Sequence, residues 1–294
     1  MSTYTGIYIF GEVLFDCFPD GQVVLGGAPF NVAWHLQAFG DYPQFISRIG
    51  DDEYGERVLQ AMKQWGMSIS AVQVDDQFPT GQVQVVFKDN EPQYDIVKNS
   101  AYDFILANQL PERTAEGILY HGSLGLRNDV SRNAYKQLIH DNNLKIFLDV
   151  NLRNPWWNKD DVCEMLGNAN WVKLNVEELK LLAAEPSSTK DMIAQLQTTY
   201  DLEQVIVTQG ADGAIIRTEE GRFFTEQPER AEQIIDTVGA GDAFSSMYLH
   251  GLRAGVSTAE NLRCSQRFAT KILGLRGATT MNFEIYQEFS APHS

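Results

Sequence analysis

Strand-like and helix-like segments alternate along the second half of this 294-residue chain. Short apolar runs of strand length are followed by segments whose apolar residues recur at helical spacing. This alternation is typical of an α/β fold in which helices cover both faces of a mostly parallel sheet. The sequence predicts strands at 117–121, 145–149, 170–174 and 204–208, a hairpin at 213–225, and helices at 130–141, 158–166, 175–183, 189–199, 240–254 and 257–273.

The first half continues this pattern but carries two antiparallel stretches. Strands at 7–10 and 45–49 and helices at 29–39 and 53–65 fit the α/β pattern. Residues 12–25, which contain the turn Pro19-Asp20-Gly21, and residues 80–98 instead alternate in the manner of hairpins. We expect them to form a small separate sheet within a single domain that spans residues 1–294. One face of this sheet would cover a site, and the other would be exposed or would form a dimer.

Composition excludes several classes of protein. The net charge of −16 disfavours nucleic acids and anionic membranes as partners. The cysteines are odd in number and far apart, so neither a disulfide framework nor a zinc site is expected, which fits a reducing compartment. We find no signal peptide and no apolar run of membrane-spanning length, and therefore predict a cytoplasmic protein.

The segment Asp236–Asp242, D-T-V-G-A-G-D, lies directly before an amphipathic helix pattern. Its glycines allow the backbone to turn sharply and to lie close to a ligand. The first amides of a helix form an anion site, and phosphate is its usual occupant. A carboxylate at Asp242 would be repelled by phosphate, unless it takes the proton of an attacking hydroxyl. The alternative is an ordinary helix start with an acidic first turn.

Polar residues also follow three of the predicted strands, in the ranges 149–153, 173–178 and 208–213. In a parallel sheet, ligands bind beyond the carboxyl ends of the strands, so these clusters are expected to meet at one edge. The chain has neither a P-loop motif nor a dinucleotide-binding G-x-G-x-x-G after its first strand, and a dehydrogenase is therefore poorly supported. No Ser-His-Asp arrangement is indicated.

Several motifs together resemble the ribokinase-like (PfkB) carbohydrate kinases over almost the whole chain. Segment 236–244 resembles the C-terminal signature of that family. Gly26–Ala33, G-G-A-P-F-N-V-A, resembles the diglycine motif in its fructokinase form. Segment 50–55 resembles the G-x-D-x-x-G motif, and Asn175 with Glu178 matches the N-x-x-E motif. The D-x-N-x-R stretch at 149–153 resembles fructokinases and 2-keto-3-deoxygluconate kinases.

The resemblance implies an ATP-dependent kinase that phosphorylates a primary hydroxyl of a small sugar. Asp242 would be the catalytic base, and the amides of Gly239, Ala240 and Gly241 would stabilise the charge that develops on the γ-phosphoryl group. The implied sugar-binding residues are Asp16, Gly27, Asn31 and Arg153.

The implied nucleotide-binding residues are Lys173, Asn175, Glu178, Thr208, Gly210 and Gly213. Glu178 would hold Mg²⁺ through water. Asp236 lies where some relatives bind a monovalent cation such as K⁺ through main-chain oxygens. Gln266 stands where many relatives have an Asn near adenine, so the adenine contacts are not predicted.

The resemblance also implies that the stretches 12–25 and 80–98 form a lid that excludes water, and such lids form homodimers in some relatives. Fructose is the substrate that the resemblance favours, because the diglycine motif and the D-x-N-x-R stretch are similar to those of fructokinases. The alternatives are a kinase for another small sugar or nucleoside (2-keto-3-deoxygluconate, ribose or adenosine) and a catalytically silent sugar-binding relative.

Overall fold

The computed structural model describes residues 6–88, 91–112, 116–140, 144–185, 187–229 and 233–289, without the side chains of 87–88 and 91–93. Within these ranges the strands are β1 (Gly6–Phe10), β2 (Leu14–Cys17), β3 (Val23–Gly26), β4 (Gln44–Gly50), β5 (Val72–Asp75), β6 (Gly81–Lys88), β7 (Glu91–Ile96), β8 (Gly117–Gly122), β9 (Leu144–Asp149), β10 (Trp171–Asn175), β11 (Gln204–Thr208), β12 (Ala214–Thr218) and β13 (Phe223–Glu226).

The helices of the same ranges are α1 (Ala28–Ala38), α2 (Glu53–Gln64), α3 (Asp129–Ile139), α4 (Lys159–Asn168), α5 (Val176–Leu182), α6 (Thr189–Tyr200), α7 (Ala240–Ala254), α8 (Thr258–Ile272) and α9 (Glu284–Gln287). Short 3₁₀ turns lie at Ala101–Phe104, Ala107–Gln109, Leu124–Leu126 and Gly210–Asp212. None of these helices is both long and apolar enough to cross a membrane.

Nine strands form one large sheet in the order β13-β12-β11-β10-β9-β8-β1-β4-β5. Every neighbouring pair from β5 to β11 is parallel, whereas β12 and β13 are antiparallel to their neighbours. The carboxyl ends of seven strands therefore meet at one edge. The predicted class, a mostly parallel sheet flanked by helices, is confirmed.

The side chains of β1 divide between the two apolar layers of the molecule because a strand alternates its faces. Ile7 and Ile9 pack in the layer formed with α1, α2, α7 and α8, and Tyr8 and Phe10 pack in the layer formed with α3 to α6. Both faces of the sheet are thus covered, which explains why the central strands are apolar throughout.

The other four strands form a small sheet in the order β3-β2-β6-β7. Leu14, Val83 and Ile96 of this small sheet pack against Leu124 and Trp156. The small sheet comprises strands from the two stretches that the sequence set apart, 12–25 and 80–98; residues 89–90 lie outside the described ranges.

Arg127 connects the small sheet to the main body. Its Nη2 donates to the main-chain oxygen of Val97 at 2.7 Å, and its Nε pairs with Asp103 at 2.7 Å. Its guanidinium also lies 4.5 Å from the ring centroid of Trp156. One side chain thereby joins the end of β7 to the loop that follows β9.

Candidate active site

Helix α7 begins in a backbone conformation that only glycine adopts without strain. Gly239 has a φ of 81°, and a Cβ placed on it would lie 2.4 Å from the Cβ of Ala278. The first hydrogen bond of the helix runs from the amide of Ala243 to the oxygen of Gly239. The amides of Ala240, Gly241 and Asp242 precede that bond and are therefore available to an anion.

Asp242 lies on the first turn of α7, partly exposed at the carboxyl edge of the sheet. Asn31 Nδ2, from the first turn of α1, donates to Asp242 Oδ2 at 2.8 Å. Burial raises the pKa of Asp242 to about 6, and the charge of Asp149 acts in the same direction, while the bond from Asn31 lowers it. A carboxyl with this pKa is largely ionised at neutral pH and can accept a proton.

Lys173 reaches the same turn from beneath. Its Nζ forms a salt bridge with Asp149 Oδ2 at 2.8 Å and lies 3.4 Å from the position of a Cβ on Gly241. An ammonium therefore stands beside the free amides of α7, and both kinds of group attract negative charge.

A second group of polar atoms surrounds the diglycine turn. Gly27 has a φ of 109°, and a Cβ on it would lie 2.8 Å from the main-chain oxygen of Glu12. A Cβ on Gly26 would lie 3.8 Å from Asp16 Oδ2 and 3.9 Å from Asn31 Oδ1, so these two oxygens face one space. Asn31 Oδ1 is buried, and no donor reaches it from the described residues. The arrangement suits a ligand that offers hydroxyl groups.

Arg153 and Tyr94 both interact electrostatically with Asp16. Arg153 is exposed, and its charge lowers the pKa of Asp16, which burial nevertheless raises to about 6. Burial raises the pKa of Tyr94, on β7, and the charges of Asp16 and Asp236 raise it further. Tyr94 therefore brings a phenol of the small sheet close to the predicted sugar-binding residues, and the sequence did not single it out.

Glu12 is a second residue that the sequence analysis missed. It follows β1 at the carboxyl edge and is 3% exposed. Burial raises its pKa to about 7, and the nearby charge of Asp242 adds to the effect, while Arg153 opposes it. Its Oε2 has no partner among the described residues. Only the fold reveals this burial, since a carboxylate at a strand end in the sequence is equally compatible with solvent.

Asn175 and Glu178 form a reciprocal cap at the start of α5. Asn175 Oδ1 accepts from the amide of Glu178 at 2.9 Å, and Glu178 Oε2 accepts from the amide of Asn175 at 2.8 Å. Glu178 Oε1 accepts from the amide of Leu152 at 2.8 Å. Each carboxylate oxygen keeps a further lone pair, so the motif stabilises a helix start and still has acceptors for water.

Thr208 lies directly opposite Asn175 in the pairing of β10 with β11. Gly210 and Gly213 follow it in a tight turn with φ of 59° and 90°. A Cβ on Gly213 would overlap the main-chain oxygen of Glu226, so this turn requires glycine. The residues assigned to the nucleotide thus lie along the same edge as Asp242, on neighbouring strands.

Asp236 fastens the loop before α7. Its Oδ1 accepts from the amide of Val238 at 3.0 Å, and its Oδ2 accepts from the amide of Gly277 at 3.1 Å. Gln266, buried on α8, accepts a hydrogen bond from the hydroxyl of Thr270 at its main-chain oxygen. Within the described ranges, no group of three or more His, Cys, Asp or Glu side chains is arranged to hold a metal ion. The oxygen atoms of Asn175 and Glu178 suit Mg²⁺ that is held through water and phosphate, because Mg²⁺ keeps several waters and takes few carboxylates.

Comparison with known proteins identifies the family. The model of the pfkB family carbohydrate kinase matches residues 17–284. Fructokinase from Salmonella typhimurium is 30% identical over 265 residues, which cover 84% of this chain and 84% of that protein. Aminoimidazole riboside kinase from Salmonella typhimurium (strain LT2) is 27% identical over 258 residues, which cover 83% of this chain and 80% of that protein.

Solved structures share the fold. Aminoimidazole riboside kinase from Salmonella enterica, in complex with aminoimidazole riboside and an ATP analogue, has a TM-score of 0.83 at 24% identity, and the match covers 97% of this chain and all of that one. A double mutant of fructokinase from Vibrio cholerae O395, with fructose, ADP and potassium ion bound, has a TM-score of 0.80 at 23% identity. That match covers 97% of this chain and 98% of the fructokinase chain. The chain belongs to the pfkB family of carbohydrate kinases, which confirms the resemblance and the expected enzyme class.

Proposed function

We propose that this kinase transfers the γ-phosphoryl group of ATP to a primary hydroxyl of fructose. The observation that carries the proposal is the hydrogen bond between Asn31 and Asp242. It joins a side chain assigned to the sugar to the carboxylate assigned as the base. A hydroxyl bound between them would already be within reach of its proton acceptor, which is how positioning lowers a barrier.

In this mechanism Asp242 accepts the proton of the attacking hydroxyl. The sugar oxygen forms a bond to the γ-phosphorus as the bond from that phosphorus to the β-phosphate oxygen breaks, and ADP leaves. The amides of Gly239, Ala240 and Gly241 and the ammonium of Lys173 stabilise the charge on the transferred group, a contribution typically worth about two to three powers of ten in rate per donor.

Magnesium bound to the phosphates would neutralise charge on the nucleotide. Glu178 and Asn175 would hold the ion through water, and Thr208, Gly210 and Gly213 would border the nucleotide. Potassium is a further proposal: the loop that Asp236 fastens would place main-chain oxygens around such an ion. None of the three cysteines forms a disulfide within the described residues, which supports a reducing compartment, the cytoplasm.

The small sheet would act as a lid of a single kinase domain. Asp16 and Tyr94 on it lie close to Arg153 of the main body, so closure would bury the reacting groups and exclude water, which would otherwise hydrolyse ATP. Val86 lies on the opposite face of β6 from the buried Val83 and Val85 and is about half exposed, which supports a homodimer formed through the outer face of the lid.

A substrate screen would test the choice of sugar. ADP production with MgATP would be measured for fructose, ribose, 2-keto-3-deoxygluconate, adenosine and aminoimidazole riboside. The last compound belongs in the screen because the kinase that takes it shares this fold. We expect the highest kcat/KM for fructose. A higher value for a riboside would assign the enzyme to nucleosides, and no turnover with any compound would favour a silent sugar-binding relative.

Substitution of Asp242 tests the mechanism directly. Asp242→Asn keeps the hydrogen bond from Asn31, because the new amide oxygen accepts it, but removes the proton acceptor. We expect kcat to fall by about two to four powers of ten, with the Kd for fructose little changed. Asp129→Asn, at an exposed position on α3, serves as the control. Near-normal turnover of Asp242→Asn would remove the assignment of Asp242 as base.

A further inference from the structure

A buried cluster of polar side chains lies beneath the first turns of α7. Asp149 Oδ2 accepts three hydrogen bonds, from Lys173 Nζ at 2.8 Å, from Ser245 Oγ at 2.7 Å and from Tyr120 Oη at 3.3 Å. All four residues are almost completely buried, with Lys173 the most exposed at 6%. The cluster therefore belongs to the interior of the protein and yet reaches the edge of the site.

The topology explains how these residues meet. Lys173 lies directly opposite Asp149 in the pairing of β10 with β9, and Tyr120 comes from the next strand, β8. Ser245 descends from α7, where its hydroxyl also lies 3.1 Å from the main-chain oxygen of Gly241. One carboxylate oxygen thus connects three strands to the helix whose first amides face the site.

Stability alone is a poor reason for this arrangement. Buried charges lose their hydration, and a buried ion pair is often no more stabilising than apolar side chains of the same size. The position of the pair is informative, because Lys173 Nζ lies 3.4 Å from a Cβ on Gly241, beside the free amides of α7. An ammonium restrained at this point meets an incoming anion together with those amides.

We propose that Asp149 is a positioning residue that fixes the Lys173 ammonium and the first turn of α7 in one rigid arrangement for the γ-phosphoryl group. The inference rests on the proposed transfer from ATP. At 2% exposure, Asp149 is too buried to contact a substrate directly. It acts through Lys173, because the salt bridge restrains a side chain that could otherwise adopt several rotamers. It also acts through Ser245, whose hydrogen bond to Asp149 links α7 to the sheet.

The same cluster influences the base. Four charges and one amide face Asp242. The charges are those of Asp149 from β9, Arg153 from the loop after β9, Lys173 from β10 and Glu12 from the loop after β1, and the amide is that of Asn31 from α1. The negative charge of Asp149 raises the pKa of Asp242, and the charge of Lys173 lowers it. A change at Asp149 should therefore shift the pH dependence of activity, which a purely structural role would not do.

Three variants test the inference: Asp149→Asn, Lys173→Met and the double variant. Calorimetry would measure the Kd of a magnesium-bound, non-hydrolysable ATP analogue, and assays would measure kcat/KM for ATP. We expect each single variant to lose at least about tenfold in both quantities, by analogy with the loss of one oxyanion donor. Asp149→Asn keeps an oxygen that can accept from Ser245, so it mainly removes the charge that holds Lys173. The double variant should therefore match Lys173→Met within about twofold.

The second measurement is the decline of kcat/KM at low pH, which is the acid limb of the pH profile. Without the negative charge at position 149, the pKa of Asp242 falls, so Asp149→Asn should retain activity to lower pH than the wild type. Asp75→Asn is the matched control, because Asp75 forms an equally buried salt bridge with Arg48 at 2.7 Å between β4 and β5. It should lower the Tm without moving the acid limb.

Several results would overturn the inference. If Asp149→Asn has a lower Tm but the same Kd and acid limb as the wild type, the role of the cluster is purely structural. If that variant does not fold, the double variant decides, since both charges are then absent; a further tenfold loss relative to Lys173→Met would show that Asp149 does not act through Lys173. A wild type that binds the analogue but phosphorylates no sugar would overturn the proposed function, and the Kd comparison would still decide the role of Asp149.

Discussion

At the scale of single residues, Asn31 does two tasks with one amide. Its Nδ2 donates to Asp242, while its buried Oδ1 faces the space shared with Asp16. The donor side stabilises the ionised form of the base, and the acceptor side suits a substrate hydroxyl. One side chain therefore links recognition of the sugar to the protonation state of Asp242.

These two roles of Asn31 predict the direction in which the pH profile should move when the side chain is removed. Asn31→Ala removes a hydrogen bond that lowers the pKa of Asp242, so that pKa rises. Because the base works ionised, the acid limb of kcat/KM should move from near pH 6 to higher pH. We also expect the KM for fructose to rise about tenfold, as for loss of a hydrogen bond to a charged or buried group. Profiles between pH 5 and 9 would measure both effects.

The control is Asn128→Ala, which removes the side chain that caps α3 through its bond to the amide of Val130 at 2.9 Å. That change should cost about 1 kcal/mol of stability and leave the acid limb in place. If Asn31→Ala leaves the limb unmoved as well, the bond seen between Asn31 and Asp242 does not persist in the working enzyme.

At the scale of elements, α7 depends on the glycine before it. Gly239→Ala would force a Cβ into a position 2.4 Å from the Cβ of Ala278, in a left-handed backbone conformation. The first turn of the helix would have to shift, and a displacement of about 1 Å at reacting groups can cost about a hundredfold in rate. We expect kcat to fall by about that factor, measured at saturating ATP and sugar.

Gly255→Ala is the matched control at the other end of the same helix. Gly255 is also left-handed, with a φ of 71°, but a Cβ there would meet no atom within 4 Å. The control should lose about 1–2 kcal/mol of stability through the strained backbone and keep its kcat. Equal losses of kcat in the two variants would mean that α7 responds to strain at either end, not to the placement of its first turn.

The elements are also where the sequence was most informative. Each predicted strand and helix is present with small shifts at its ends, because periods of two and of 3.6 residues and the Gly and Pro signals are local properties. The contact between Asn31 and Asp242 joins residues 211 positions apart, so only the topology reveals it. The burial of Glu12 and the three bonds to Asp149 likewise depend on which strands are neighbours. The 3₁₀ turns and α9 are too short to leave a periodic signal.

One feature of the sequence allowed a second interpretation. The spacing of Asn175 and Glu178 is that of a helix cap as well as of a family motif, and the structure contains the cap in full. Their interaction with magnesium stays a prediction. Glu178→Gln keeps an acceptor for the amide of Leu152 but loses the charge, so a separate loss of magnesium affinity would distinguish the two tasks.

At the scale of the whole molecule, the site concentrates unfavourable charge in an already acidic protein. The chain carries a net charge of −16, and Glu12, Asp16 and Asp242 meet at one edge with pKa values raised by burial to about 7, 6 and 6. A carboxyl whose pKa is raised by folding binds its proton more tightly in the folded state. Its contribution to stability is present at low pH and is lost as the pH rises through the folded pKa.

Asp242→Asn should therefore stabilise the protein as it inactivates it. The pKa of Asp242 lies near 6 in the folded state, against an ordinary value of 3.8, so the ionised base costs the wild type stability above pH 6. We expect a gain of about 1–3 kcal/mol in the free energy of unfolding at pH 8 that shrinks towards pH 4, from urea titrations at both pH values. Asp129→Asn makes the same change in net charge at a side chain that is 88% exposed, and it should gain little at either pH. An equal gain in the two variants would attribute the effect to the overall charge of the molecule. A gain confined to Asp242→Asn would locate the electrostatic cost in the base, where the fold accepts lower stability to keep a carboxylate that takes a proton.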